Sequence, residues 1–134
     1  MPYEISIELD GSARILDTAS VRALIEQVLA EEGIEACAVA LLFAGDELLL
    51  RLNREYRSRE EFTDVLAFPA EEGETLPQDD DESALLFLGD IAVSVPAVSR
   101  QADAAALTFE DELFHVVLHG LLHLLGYDHV DAND

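Results

Sequence analysis

The chain contains no lysine, no tryptophan and only one cysteine among its 134 residues. Its seven arginines are outnumbered by 29 aspartates and glutamates, which gives a formal net charge of −22. Nonspecific nucleic-acid binding depends on many surface cations that displace counterions, so this balance excludes a general affinity for polyanions. Any nucleic-acid contact must be local. A single cysteine excludes an internal disulfide, and we expect Cys37, which lies in an apolar run, to be a buried thiol.

The sequence also lacks long hydrophobic runs. The N-terminal residues have neither the basic start nor the apolar stretch of a signal peptide, and no apolar segment approaches the roughly 18 residues of a membrane span. We therefore expect a cytoplasmic protein without membrane contact. Half of the residues are nevertheless apolar, which favours a folded chain over a disordered one. The length predicts a single domain over residues 1–134.

The spacing of apolar residues predicts four strands and about four helices. Strands are predicted over 3–9, 36–44, 63–68 and 85–95, the last interrupted at Gly89 and Asp90. Helices are predicted over 18–32, 46–56, 96–105 and 109–125, the last capped by Thr108 with Asp111 three residues later. The acidic segment 71–83 is predicted to be a solvated loop. This order predicts an α+β fold in which the helices pack on a small mixed four-stranded sheet.

All four histidines lie within fifteen residues, in and just after the last predicted helix. His119 and His123 are one turn apart on one helix face, and Gly126 allows the chain to double back and bring His129 to them. Three imidazoles suit one zinc ion per chain and leave a fourth position for water, whose pKa the ion lowers. Iron, nickel or copper would also accept them. His115 is offset by 80° from His123, so we expect it in the core or orienting a ligand.

The spacing His-x3-His-x5-His matches the zinc-peptidase pattern H-E-x-x-H-x-x-G-x-x-H. In those peptidases the residue after the first histidine is the glutamate that removes a proton from the attacking water. Gly120 occupies that position here and cannot perform this step. A peptidase would need a base from elsewhere, so peptide hydrolysis is not expected.

The segment HGLLHLLGYDH at 119–129 resembles the signature of the YbeY family of bacterial endoribonucleases. Upstream, LNREYR at 52–57, TDVLAFP at 63–69 and LGDI at 88–91 resemble further blocks of that family in the same order. Phe62 stands where the family usually has proline, and Ala67 where it usually has serine. Relatives commonly continue into a further helix after the last histidine, whereas five residues follow His129 here, so we expect less cover on that side of the site.

The resemblance implies a zinc-like metal held by His119, His123 and His129, with Arg57 as a further functional residue beside it. It implies an endoribonuclease that matures small-subunit ribosomal RNA and acts in ribosome quality control, with the ribosome or its proteins as partners and no DNA substrate. Single-stranded RNA is the expected substrate, because a small site reaches unpaired nucleotides more easily than the narrow major groove of A-form RNA. The alternative is a metal-stabilised binding protein in ribosome assembly with little catalytic activity.

Four of the seven arginines, Arg51, Arg54, Arg57 and Arg59, fall within nine residues. Guanidinium groups bind phosphate oxygens in pairs, so we expect one arginine-lined approach for RNA, with Arg57 stabilising developing charge and Arg54 a candidate substrate contact. The alternative, for Arg51, Arg54 and Arg59, is that they pair with the nearby Glu47, Glu55, Glu60 and Glu61.

The general base is left open by the sequence. Asp64 and Asp128 are candidates by their chemistry, and Asp128 could instead orient a histidine.

The remaining charge is acidic and is expected in the 71–83 loop and on the outer helix faces. Such a field repels RNA at low salt and matters less once the screening length falls below about 10 Å. We therefore expect a host cytoplasm of high ionic strength.

Overall fold

The computed structural model describes residues 3–10, 17–59, 61, 63–70, 75–76 and 85–126, which form four helices and a mixed sheet. The strands are β1 (Tyr3–Leu9), β2 (Cys37–Ala44), β3 (Val65–Pro69), β4 (Thr75–Leu76) and β5 (Leu85–Ser94). The helices are α1 (Thr18–Glu31), α2 (Asp46–Arg57), α3 (Val95–Ala105) and α4 (Phe109–Leu124). The predicted α+β fold is confirmed. None of the helices in these ranges has the length and apolarity needed to cross a bilayer.

The four main strands lie in the order β1-β2-β5-β3. Strands β1, β2 and β5 are mutually parallel, and β3 pairs antiparallel with β5 at one edge of the sheet. The continuous apolar run of β2 predicts a central strand covered on both faces. In the structure β2 lies between β1 and β5, and Cys37 is fully buried as predicted. Burial raises the pKa of the Cys37 thiol.

Alternate residues of the strands point to the two faces of the sheet. One face holds the larger core, in which α1 and α4 pack on β2 and β5 through residues such as Ile25, Val117 and Ile91. The other face holds a smaller cluster under α2, formed around Leu49, Leu66 and other buried residues. Helices α2 and α4 therefore lie on opposite faces, and the edge strand β3 runs between them.

Two expectations about strands need correction. The chain does not break at Gly89 and Asp90. Instead β5 is continuous and has one extra residue relative to β2, since Phe87 pairs with Ala38 and Asp90 with Ala40. Gly89 adopts a φ of +138° at this bulge, a backbone conformation that favours glycine.

The second correction falls inside the predicted loop 71–83. Thr75 and Leu76 form a two-residue strand antiparallel to Leu85 and Leu86. A pair this short is set by backbone hydrogen bonding to a neighbouring strand, and the sequence pattern does not encode it. The rest of that loop lies outside the described residues.

The start of α4 follows the predicted capping, and α3 begins with a side-chain cap of the same kind. Thr108 Oγ1 accepts a hydrogen bond from the Asp111 backbone N–H at 3.0 Å and begins α4. Ser94 Oγ accepts one from the Ala97 N–H at 3.2 Å, and Pro96 lies in the first turn of α3. These caps fix where α4 starts along the sheet, and therefore which of its residues face β3.

Candidate active site

Two histidines of α4 line a cavity of about 350 Å³ beside the edge strand β3. His119 Nε2 lies 3.0 Å from His123 Nε2, and the two rings stack with centroids 4.8 Å apart and planes 15° from parallel. One helical turn separates the two residues, which places both imidazoles on one face as the spacing predicts. The two ring nitrogens therefore converge at one point of the cavity wall.

Gly120 lets α4 lie close to the sheet at this point. A Cβ atom at position 120 would lie 2.8 Å from Ile91 Cγ2 and 3.2 Å from Val65 Cγ2, closer than carbon atoms pack in protein interiors. A larger side chain fits only if the helix or these two side chains shift. The glutamate of the peptidase pattern is thus excluded here by packing as well as by sequence.

The C-terminal end of α4 contacts the sheet through a second glycine. A Cβ atom at Gly89 would lie 2.3 Å from the Phe68 backbone oxygen and 3.0 Å from Leu124 Cδ2. The bulge in β5 therefore lies close against Leu124 in the last turn of the helix, one residue after His123 in the sequence.

Arg57 reaches the cavity from the other side of β3, where it ends α2. Its Nη2 donates a hydrogen bond to the Ala67 carbonyl oxygen at 2.5 Å, and its guanidinium carbon lies 5.7 Å from the centre of the Phe68 ring. A guanidinium has five N–H donors, and this is the one Arg57 hydrogen bond among the described residues. The other donors remain available to an anion in the cavity.

Asp64 also lines the cavity, together with Thr63 and β3. The Ser94 backbone N–H donates to the Asp64 carbonyl oxygen at 2.8 Å, which fixes this segment to the end of β5. The cavity thus brings together four predicted site residues, His119, His123, Arg57 and Asp64. We call it the His–Arg cavity.

A buried asparagine, which the sequence analysis did not single out, holds the chain between α2 and β3. Asn53 is 3% exposed, and its side-chain amide donates to the Glu61 carbonyl oxygen at 2.9 Å. Its own backbone oxygen accepts from the Arg59 N–H at 3.2 Å. A signal was present, because Asn53 follows the buried Leu49 by one turn, where a polar residue needs a hydrogen-bond partner. Asn53 therefore positions the segment that leads from Arg57 to Asp64.

The opposite end of α2 is anchored to α3. The Asp46 carboxylate accepts hydrogen bonds from Ser94 Oγ at 2.7 Å and from Arg100 at 3.0 and 3.2 Å. The hydrogen bond from Arg100 is the largest of the effects that lower the pKa of Asp46, with Ser94 adding to it. The Asp46 carboxylate in turn raises the pKa of Arg100. Helix α2, which ends at Arg57, is thus fixed at its N-terminus by a charged contact.

The expectation of a core position for His115 is wrong. Its side chain is 70% exposed, and its Nδ1 lies 3.8 Å from Glu112 Oε1. The buried face of α4 is formed by residues such as Val117 and Leu121, and His115 is turned away from that face by the helical pitch. It does not line the His–Arg cavity.

The four clustered arginines do not line one common surface. The expectation of a single arginine-lined approach for RNA is therefore wrong. Arg57 alone lines the His–Arg cavity, whereas Arg51 and Arg54 line a separate groove near the start of α2. Arg59 pairs with Glu61 at 3.7 Å, which confirms the ion-pair alternative for that residue. Each three-residue step along α2 turns by about 60° around the helix, so Arg51 and Arg54 are neighbours, whereas Arg57 is offset by about 120° from Arg51 and faces a different surface.

The predicted third ligand, His129, lies outside the described residues, as do Asp128 and Phe62. Among the residues that are described, no three histidine, cysteine, aspartate or glutamate side chains form a group that could hold a metal. His119 and His123 thus provide two converging nitrogens, and a third ligand has to come from elsewhere. Imidazole nitrogens in this arrangement fit a zinc-type ion by their chemistry.

Comparison with known proteins gives a consistent result. The family profile described as "Endoribonuclease YbeY" matches residues 6–134. The Endoribonuclease YbeY of Desulforamulus reducens is 40% identical over 115 residues, covering 85% of this chain and 74% of that protein. That of Ruegeria pomeroyi is 37% identical over 143 aligned positions, covering 100% and 86%. The solution structure of TM1509 from Thermotoga maritima aligns with a TM-score of 0.57 at 31% identity, covering 93% of this chain and 74% of that one.

Proposed function

The chain belongs to the YbeY family, and from this membership we propose that it is a metal-dependent endoribonuclease that cleaves single-stranded RNA. The observation that most directly supports the proposal is the convergence of His119 Nε2 and His123 Nε2, 3.0 Å apart, in a cavity that Arg57 also lines. Metal-ligating nitrogens and a phosphate-binding cation therefore face the same space of about 350 Å³.

His119 and His123 would hold the metal, with His129 as the third ligand. We propose zinc, one ion per chain, since neutral imidazoles suit it. When bound, such an ion polarises a phosphate oxygen and lowers the pKa of a coordinated water. The fit rests on the donor chemistry of two parallel imidazoles whose nitrogens point to one place.

Arg57 would bind the scissile phosphate. Its hydrogen bond to the Ala67 oxygen and its contact with Phe68 hold the guanidinium against β3, so little side-chain freedom remains to be lost when the substrate binds. The free N–H donors can then stabilise the negative charge that builds on the phosphate oxygens. A preformed donor in a partly closed site stabilises charge more than one in bulk water does.

Asp64 would handle a proton in this cavity. Asp64 lines the cavity that also holds the two histidines, where a carboxylate can accept a proton from the attacking group or hold that group in place. Asp128 is the other candidate for this role, and it could also orient a histidine ligand.

We propose the maturation of small-subunit ribosomal RNA, with ribosome quality control, as the biological setting. The protein would act in the cytoplasm, with the ribosome or its proteins as partners and without DNA as a substrate. The net charge of −22 supports a specific, local RNA contact over general nucleic-acid binding.

The experiment compares matched pairs of variants. His119→Ala should lose bound metal, measured by elemental analysis of the purified protein, whereas His115→Ala on the exposed face of α4 should keep it. Arg57→Ala should cleave a labelled single-stranded RNA about 10²- to 10³-fold more slowly, whereas Arg59→Ala should not. His119→Ala should also lose cleavage.

Three results would contradict the proposal. If the purified wild-type protein contains no transition metal, the assignment of the metal site is wrong. A metal-loaded protein that does not cleave RNA favours the ribosome-assembly binding protein. Cleavage that persists unchanged in both His119→Ala and Arg57→Ala points to a contaminating nuclease.

A further inference from the structure

Tyr56 is the most exposed of the large apolar side chains in the described part of the chain. It is 68% exposed, compared with 42–45% for Leu9, Leu86 and Leu107. The ring stands at the end of α2, directly before Arg57 in the sequence. Its hydroxyl has no hydrogen-bond partner among the described residues. No hydrogen bond within the described part of the fold therefore accounts for the exposed position of the ring.

The Tyr56 ring is held in place while one of its faces stays open. It meets the Phe68 ring edge to face, with centroids 5.6 Å apart and planes 71° apart. Such a contact covers at most one face of the Tyr56 ring. Phe68 is itself fixed in β3, beneath the Arg57 guanidinium at 5.7 Å. Tyr56 therefore presents a rigid aromatic surface with at least one free face.

This surface lies beside the candidate active site. Tyr56 lines a groove of about 740 Å³ on the sheet face under α2, together with Leu52, Phe68 and Pro69. Pro69 also lines the His–Arg cavity. If Arg57 binds one phosphate of an RNA strand, the next nucleotide of that strand would lie in this groove.

We propose that Tyr56 is a stacking platform for the unpaired base next to the phosphate bound by Arg57. This inference rests on the proposed function, since it takes the ligand to be single-stranded RNA. Stacking on an aromatic ring tolerates any base because every base has a π-face. It also gives affinity without surface cations, which suits a chain with a net charge of −22.

The test measures binding and cleavage with two substitutions at this position. Tyr56→Leu keeps an apolar side chain but removes the ring, and Tyr56→Phe keeps the ring. We expect Tyr56→Leu to weaken RNA binding about 5- to 140-fold, and Tyr56→Phe to stay within about twofold of wild type. Leu86→Ala is the control, since Leu86 is an exposed apolar residue outside both cavities. Its binding should match that of the wild type.

Two readouts separate stacking from a structural role. The first readout uses RNA in which 2-aminopurine replaces the base next to the phosphate bound by Arg57, and its fluorescence is measured on mixing, before cleavage. Wild type and Tyr56→Phe should quench this fluorescence, and Tyr56→Leu should not. RNA with a single abasic nucleotide at that position should be cleaved equally by wild type and Tyr56→Leu, because the stacking partner is already absent.

The outcomes distinguish this inference from the function on which it rests. Cleavage of RNA with equal binding and quenching by wild type and Tyr56→Leu overturns the inference and leaves the function intact. A loss in Tyr56→Leu that persists on the abasic RNA also overturns it, and indicates a contact of another kind, such as one with a protein. Ring-dependent quenching in a protein that cleaves no RNA supports the inference while the proposed function fails.

Discussion

At the scale of single residues, Gly120 determines how closely α4 approaches the sheet. A methyl group at this position would lie 2.8 Å from Ile91 Cγ2, and Ile91 is fully buried. His119 precedes this glycine directly, so the position of its imidazole relative to β3 depends on the close contact. The sequence indicated only that the peptidase glutamate was missing, and the structure supplies the reason in packing.

Gly120→Ala should lower the free energy of unfolding by up to about 2 kcal/mol, because crowding costs about 1–3 kcal/mol and the gain in helix propensity offsets about 1 kcal/mol of it. Chemical denaturation measures this change. In an Ile91→Ala background the same substitution should stabilise the protein, since the new methyl group fills vacated space. An equal effect of Gly120→Ala in both backgrounds would contradict the contact.

At the scale of elements, α2 is fixed at both of its ends. Asp46 is bonded to Ser94 and Arg100 at its start, and Asn53 holds the following segment at its end. Arg57 therefore reaches β3 from a helix whose position is determined by α3 and β5.

Asp46→Asn should destabilise the protein by about 1 kcal/mol at pH 7, since a charge-assisted contact with a largely exposed arginine is lost. The pKa of Asp46 is lowered in the folded state. The contact is therefore fully stabilising above the ordinary value of 3.8 and loses its effect as the pH falls below that value.

Urea unfolding at pH 7 and pH 3 tests this, with Asp103→Asn as the control. Asp103 is an exposed residue of α3, and its substitution removes the same unit of negative charge. The two variants should differ at pH 7, and the difference should be smaller at pH 3. A difference of the same size at both pH values would show that the Asp46 contact is not electrostatic.

The sequence predicted the elements well where apolar spacing and caps agree, as for α4 between Thr108 and Leu124. It failed where a backbone detail decides the outcome, as at Gly89, which looks like a strand break but forms a bulge. At the site, helical spacing predicted the convergence of His119 and His123. It did not show that His115 is exposed, which depends on the face of α4 that packs on the sheet, or that Asn53 is bonded to Glu61, which depends on the course of the chain between α2 and β3.

At the scale of the whole molecule, 29 acidic residues against seven arginines impose a self-repulsion that folding has to overcome. Some of the described arginines are bonded within the fold, as Arg100 is, and Arg57 lines the candidate site. The acidic excess therefore directs RNA to a local contact.

The thermal unfolding midpoint should rise between about 0.1 M and 1 M sodium chloride, as the screening length falls from about 10 Å to about 3 Å. A high-salt host remains a prediction that this measurement tests. A midpoint that does not rise with salt would count against both the self-repulsion and such a host.

The central claim is that the paired histidines of α4 hold a metal needed for RNA cleavage, and metal removal tests it most directly. The rate of cleavage of a labelled single-stranded RNA is measured before chelation, after chelator and dialysis, and after one equivalent of zinc per chain. We predict that the rate falls to background without metal and returns with zinc, and that His123→Ala is not restored. A metal-free protein that cleaves RNA at the original rate would contradict the claim.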